Sequence, residues 1–230
     1  MAVSKRNRKK RLRRLQRVTR RPSRIGSLVS DGDEVVALLE CEITPEPILD
    51  PRIEAMPPDD RESYRELERA VFDGRAGNVV EELEQFEDRY PQIPIIKNHL
   101  MIAYEEVGRS EEAEQLAQET FQRFPRYLFG LTNYVRFCLF NGRIDEAADI
   151  LGDKLHICLM YPDRHRFHIS EFTAYTAVVV EFLFLTGRED AARSHFRALK
   201  KVNPDHPMTL FLQHLLDYGS LVKVLRRFRQ

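Results

Sequence analysis

Apolar residues recur at helical spacing through most of the chain, and the recurrence breaks at regular points. Within residues 94–125, Leu100, Met101 and Tyr104 share one face of a first helix. Gly108 ends that helix, Ala113, Leu116, Ala117 and Thr120 line the facing side of a second, and Phe124-Pro125 closes the unit. The unit repeats. Gly74, Gly108, Gly142 and Gly187 mark four turns at spacings of 34, 34 and 45 residues. Ala113, Ala147 and Ala192 each follow a turn by five residues, and Pro91, Pro125 and Pro204 follow by 17; in the longer third unit Pro162 arrives three residues late. Glycine tolerates the left-handed conformation that stops a helix, proline cannot continue one, and alanine lets paired helices approach closely. Each hairpin keeps an apolar face it cannot bury alone, so the hairpins should stack.

The pattern extends either way. Asp59 or Asp60 is the expected N-cap of the first repeat helix, with Tyr64, Leu67, Val71 and Phe72 on its apolar face and Val80, Leu83 and Phe86 on its partner. The fourth hairpin should run from about Ser170 to Val202. Met208, Phe211, Leu212, Leu215 and Leu216 would cover the open end of the stack. After Gly219, the alternation of Leu221, Val222, Val224, Leu225 and Phe228 with Lys223, Arg226, Arg227 and Arg229 suits a second capping helix or one that meets a membrane surface or partner. Four blocks follow: 1–27, 28–59, 60–206 and 207–230. No sheet is expected in the repeats, and Val35–Ile43 reads as a short helix or a strand.

On Leu100, Tyr104, Gly108, Ala113 and Pro125, and again on Gly187, Ala192, Phe196 and Pro204, the chain resembles the tetratricopeptide repeat (TPR) family. The resemblance covers roughly residues 60–206. It departs in the first unit, where Val79 replaces the small residue and Gly77 interrupts the turn, and the chain has no Trp. The resemblance implies an all-α, right-handed superhelical stack of helical hairpins. It also implies a non-enzymatic scaffold holding a protein segment in a concave groove lined by first-helix positions. Matching turn registers puts Asn98, Ile102 and Glu105 of the second unit there, with Phe129, Thr132, Arg136 and Leu139 of the third and Ala177, Glu181 and Phe184 of the fourth. That mixture does not match the Lys/Arg/Asn arrangement with which some TPR domains grip a C-terminal carboxylate. Any one of these residues could instead belong to the core.

Charge changes the picture at the N-terminus. The chain is neutral overall, with 36 basic and 36 acidic residues, but residues 1–24 hold 12 Lys/Arg and no acid. The cations Lys5, Arg6, Arg8, Lys9, Lys10, Arg11, Arg13, Arg14, Arg17, Arg20 and Arg21 suit RNA, DNA or another polyanion, because each neutralised phosphate releases counterions. Residues 1–27 are expected to be disordered when free. A solubilising tail, or one docked on its own acidic linker, fits the same composition. Leu12, Leu15 and Val18 form a thin helical stripe, and no aromatic is present to stack single-stranded bases. Residues 31–60 carry ten acids against Arg52 alone, and five prolines between 45 and 58 mark a linker.

Little points to chemistry. Cys41, Cys138 and Cys158 are too few and too scattered for a disulfide framework and imply a reducing, cytoplasmic setting. The apolar run Ala177–Leu185, broken by Glu181, is too short to span a bilayer. His156, Cys158, His165 and His168 crowd around the long loop, but their spacing fits no zinc-ligand pattern. No phosphate-cradling loop, nucleophile elbow or acid/base couple stands out, so neither cofactor nor catalysis is expected.

Overall fold

The computed structural model describes residues 23–27 and 39–227. Among them the chain is mostly helical, with eleven α-helices and a small sheet. In order these are β1 (Ser23–Ser27), β2 (Leu39–Thr44), α1 (Pro51–Glu54), α2 (Pro58–Phe72), a 3-10 turn (Ala76–Val79), α3 (Val80–Arg89), α4 (Pro94–Glu106), α5 (Ser110–Arg123), α6 (Leu128–Phe140) and α7 (Ile144–Leu151). Then come α8 (Ile157–Met160), β3 (Arg166–His168), α9 (Ile169–Leu185), α10 (Glu189–Val202) and α11 (Pro207–Arg227).

Four turns share one hydrogen-bond scheme. After α4, Gly108 has φ of 78°, its N–H donates to Glu105 O at 3.1 Å, and the Arg109 N–H reaches back to Tyr104 O at 2.8 Å. Gly142 and Gly187 repeat this, with Arg143 bonded to Cys138 O and Arg188 to Leu183 O, both at 2.8 Å. Gly74 does the same with Arg75 and Ala70. This glycine-terminated helix end satisfies carbonyls the helix leaves open. Nothing lies within 4 Å of where a Cβ would stand on these glycines, so φ alone demands the residue type.

Helices then pack in chain order: α4 on α5, α5 on α6, α6 on α7 and α9, α9 on α10 and α11. Ala113, Ala147 and Ala192 are fully buried where the second helices close on the first. Two clusters of buried residues, one around α2–α4 and one around α5–α11, are joined by Ile102, Tyr104 and Leu116, which pack against both. Polar clasps reinforce the stacking. Arg109 lies over the Tyr104 ring at 4.2 Å and bonds Glu84 of the preceding hairpin at 2.8 Å, while the Tyr104 hydroxyl donates to the same carboxylate at 2.9 Å. One repeat later Arg143 lies over Tyr134 and pairs with Glu114.

Several expectations need correction. β1 falls at the end of the segment read as disordered; from Leu39 on, the stretch Val35–Ile43, read as a helix or a strand, is the strand β2, and the linker after it holds α1 and the start of α2. α2 begins at Pro58, so Asp59 and Asp60 lie in its first turn, where their charge meets the positive end of the helix dipole. A three-stranded sheet exists in order β1-β2-β3. β1 is antiparallel to β2, with Ser23 opposite Ile43, and β2 is parallel to β3, with Ile43 opposite Phe167. Ile43 and Phe167 are buried, so the sheet packs on the helices and does not stand apart. Cys41 of β2 forms a disulfide with Cys158 of α8, leaving Cys138 buried and free. The scattered spacing gave no sign of that pairing. α11 continues through Gly219 as one helix, and no described helix is long and apolar enough to cross a membrane.

Candidate functional site

The first helices of successive hairpins turn one stripe each toward a common groove of about 1140 Å³. From α2 come Tyr64, Arg65, Glu68 and Phe72; from α4, Asn98, His99, Ile102 and Glu105; from α6, Phe129, Thr132, Asn133, Arg136, Phe137 and Phe140. These recur every three or four residues, the spacing of one helix face. The first turn of α9, with Ser170, Glu171 and Thr173, and the start of α11, with His206 and Met208, close the far end. The remaining wall is the chain's own segment Pro47–Glu54. Asp50 caps α1 by accepting from Arg52 N at 2.9 Å, Arg52 Nη1 donates to Gln92 O at 2.9 Å, and Met56 is buried beyond them, so this strap is fastened at its far end. At its near end it continues β2.

Large apolar side chains surround the groove and stay open to solvent. Phe72 is 76 % exposed and Phe140 87 %, and Ile48 and Leu49 of the strap are about half or more exposed. The polar groups divide into those already engaged and those left open. Tyr64 Oη and His99 Nδ1 are 2.8 Å apart, and burial holds the His99 pKa down at about 4, so the ring is neutral. Asn133 donates to Asn98 Oδ1 at 2.7 Å across the α4–α6 seam. Glu171 pairs with Arg164 at 2.9 Å and accepts from His168 N, and His168 in turn accepts from Ser170 N, which caps α9.

Other groups stand open. Arg136 reaches Met208 Sδ at 3.9 Å, and its buried Nε has no hydrogen-bond partner among the described residues; neither has the buried Tyr127 hydroxyl. Burial raises the pKa of Glu105 and of Glu181, against the opposing pull of the Arg136 charge near each. Burial likewise raises that of Glu68, against Arg65 and Arg69. Glu68 and Glu105 make no ion pair within 4 Å among the described residues.

Of the positions expected to line a groove, the structure gathers Asn98, Ile102, Glu105, Phe129, Thr132 and Arg136 in this one. Leu139, Ala177 and Phe184 are buried in the core, and Glu181 is half-buried on α9 outside the lining. For Phe184 the cause is α11, which folds back on α9 and α10 and sets Gly219 against the ring. Sequence reasoning missed the strap and the contribution of α2. Phe72, read as packing inward, instead lies exposed with its ring edge-on to His99. The cations from Lys5 to Arg21 lie outside the described residues. Of the loop cluster, Cys158 is in the disulfide, His168 caps α9, and the His156 ring lies tilted against His195 at 4.7 Å between centroids. Comparisons with protein-family models, with curated proteins and with solved structures found no match.

Proposed function

We propose that the protein is a TPR-like scaffold, a right-handed stack of helical hairpins that holds an extended protein segment in its groove and carries out no chemistry of its own. One observation carries the reading: three successive first helices present matching stripes to one cleft whose rim leaves Phe72, Phe140 and Leu49 uncovered. Exposed apolar area of this kind, concentrated on a concave face, favours a partner surface. The groove's histidines favour binding over catalysis, since His99 is buried against Tyr64, His168 is a helix cap and His206 accepts from Met208 N at the start of α11. In this proposal the setting is cytoplasmic and Cys41–Cys158 is a bond that the thiol pool can reduce.

Selection of a displayed peptide library on the full chain tests the proposal. Enriched peptides should lose at least about tenfold in affinity with Ile102→Asp, and also with Phe140→Ser, which changes an exposed ring and leaves the core intact. Enriched peptides indifferent to both substitutions would refute it. A second reading assigns RNA or DNA to residues 1–24, on their 12 cations. It requires binding whose logarithm falls steeply with the logarithm of salt concentration.

A further inference from the structure

β1 delivers the preceding chain to the groove. In the antiparallel register Ser23 lies opposite Ile43, and β2 runs from there through Thr44 into Pro47, the first strap residue on the groove wall. Four residues at ~3.3 Å and one inter-strand step of ~4.8 Å bring residue 22 to within about 20 Å of that wall. Crossing the floor from α2 through α4 and α6 to α9 takes three interaxial steps of ~10 Å, about 30 Å. Residues 1–22 can span ~70 Å fully extended, so they reach every part of the groove.

The chemistry of that segment matches the carboxylates and the apolar rim of the groove, while Arg136 opposes it. The floor offers Glu68 and Glu105, two carboxylates without an ion pair among the described residues. The rim offers Phe72, Phe140 and Leu49. Residues 1–22 offer 11 Lys/Arg, no acid, and the apolar Leu12, Leu15 and Val18. Across the whole lining Asp50, Glu54, Glu68, Glu105 and Glu171 outnumber Arg52, Arg65 and Arg136. An arginine brought beside Glu68 or Glu105 would give a partly desolvated carboxylate a charge-assisted partner.

We propose that the groove is occupied in cis by the chain's own basic segment, residues 1–22, which an external ligand must displace. The proposal rests on the groove being a segment-binding site. Tethering makes the competition effective: a linked segment acts at up to about millimolar local concentration. A bound polyanion would draw the segment off, so nucleic acid and groove ligand would favour each other's binding.

The test uses the full chain with a photo-reactive benzoylphenylalanine in place of Phe140. Cross-links should map to residues 1–22 of the same molecule on a monomer band. Their yield should drop at least about fivefold when salt rises from ~0.1 M to ~1 M, which shortens the Debye length from ~10 Å to ~3 Å. It should drop similarly in the Glu68→Lys/Glu105→Lys double variant. A second variant, Lys9→Gln/Lys10→Gln/Arg13→Gln/Arg14→Gln/Arg17→Gln, leaves the groove untouched and should lose the cross-link too, while binding library-selected peptides about tenfold more tightly. Absence of cross-links to residues 1–22, indifference to salt and to both variants, or cross-links only between two copies would overturn the proposal. Peptides that bind both chains equally at the groove would overturn it and leave the scaffold reading standing. Failure of either chain to select any groove-dependent peptide would instead remove the scaffold reading.

Discussion

The ring of Phe184 on α9 lies against the backbone of Gly219 on α11, so close that a Cβ at residue 219 would stand 2.5 Å from Cζ and 3.0 Å from Cε1. This contact explains a glycine in the middle of a helix, where its backbone freedom costs ~1 kcal/mol relative to alanine. It also explains why Phe184 is 2 % exposed and does not face the groove.

Two opposing effects meet in Gly219→Ala. Helix propensity favours alanine by ~1 kcal/mol, and overpacking against the ring costs ~1–3 kcal/mol, so the variant should be destabilised by about 1 kcal/mol. Phe184→Leu removes the clashing ring edge. In that background the same Gly219→Ala change should become stabilising. Urea unfolding of the four chains of this double-mutant cycle measures the reversal, and additive effects would show that the two residues do not pack as described.

Lys97 is 2 % exposed on α4 and ties the preceding hairpin to the second helix of its own. Its ammonium donates to Glu119 of α5 at 2.9 Å and pairs with Glu87 of α3. Both acids keep contact with solvent, so removing the lysine strands neither in a dry interior. Lys97→Met, which keeps the volume, should therefore cost about 1–2 kcal/mol, less than the ~3–5 kcal/mol of breaking a fully buried pair. The Lys97 hydrogen bond lowers the Glu119 pKa, opposed by burial. A depressed carboxylate stabilises the fold above its unfolded pKa and ceases to as pH falls through the folded value. The gap between wild type and variant should thus be widest near neutrality and narrow below the ordinary carboxylate range, as read from denaturant midpoints across pH.

The hairpins were legible because their signals are local. A turn glycine, a closing proline and, after Gly108, Gly142 and Gly187, an alanine five residues on each report on a few neighbouring residues, and the four turns from Gly74 to Gly187 follow from them. The groove stripes of α4 and α6 follow from the same register, since each helix projects one face between fixed turns. What escaped depends on contacts between residues far apart in the chain. Ile43 pairs with Phe167 across more than a hundred residues, and nothing near either announces the other. Ala177 and Phe184 share the turn register of Asn98 and Glu105, yet both are buried, Phe184 because α11 lies over α9. The strap carries the prolines of an open linker, yet Asp50, Arg52 and Met56 hold it to the groove.

His99 should make the fold acid-sensitive above the carboxylate range. Burial holds its folded pKa at about 4, against an unfolded value near 6.5. Such a histidine stabilises the fold while neutral, so its contribution is complete above ~6.5 and is lost as pH falls from there toward 4. From pH 7 to pH 5 the loss is about 2 kcal/mol. His195, also held at about 4 by burial with His156 and Arg188 nearby, adds a loss of the same sign. His99→Gln keeps an acceptor for the Tyr64 hydroxyl and cannot take up the proton. The variant's stability should decline less steeply across this window. An unchanged slope would show that His99 is not buried in its neutral form.

The disulfide makes the most specific demand on the chain. Cys41 and Cys158 are separated by 117 residues, with Cα atoms 6.4 Å apart, inside the range a disulfide spans. Closing so long a loop restricts the unfolded chain, and the ordinary range for such bonds is ~2–4 kcal/mol. Most of that should appear in Cys158→Ser under oxidising conditions, and reduction of the wild type should match it. The bond also fastens β2 to α8, beside the β2–β3 pairing that sets where the strap begins. Reduction should accordingly speed amide exchange in β2 and the strap before it affects α4–α6. Peptide mapping of the unreduced protein should recover Cys41 joined to Cys158, with Cys138 alkylated only after unfolding because it is buried. Recovery of all three cysteines as free thiols from oxidised protein would remove the bond, and the 2–4 kcal/mol would go with it. The near end of the strap would then rest on the β1–β2 and β2–β3 pairings and on the contacts of Arg166 with Glu42, Thr44 and Glu46.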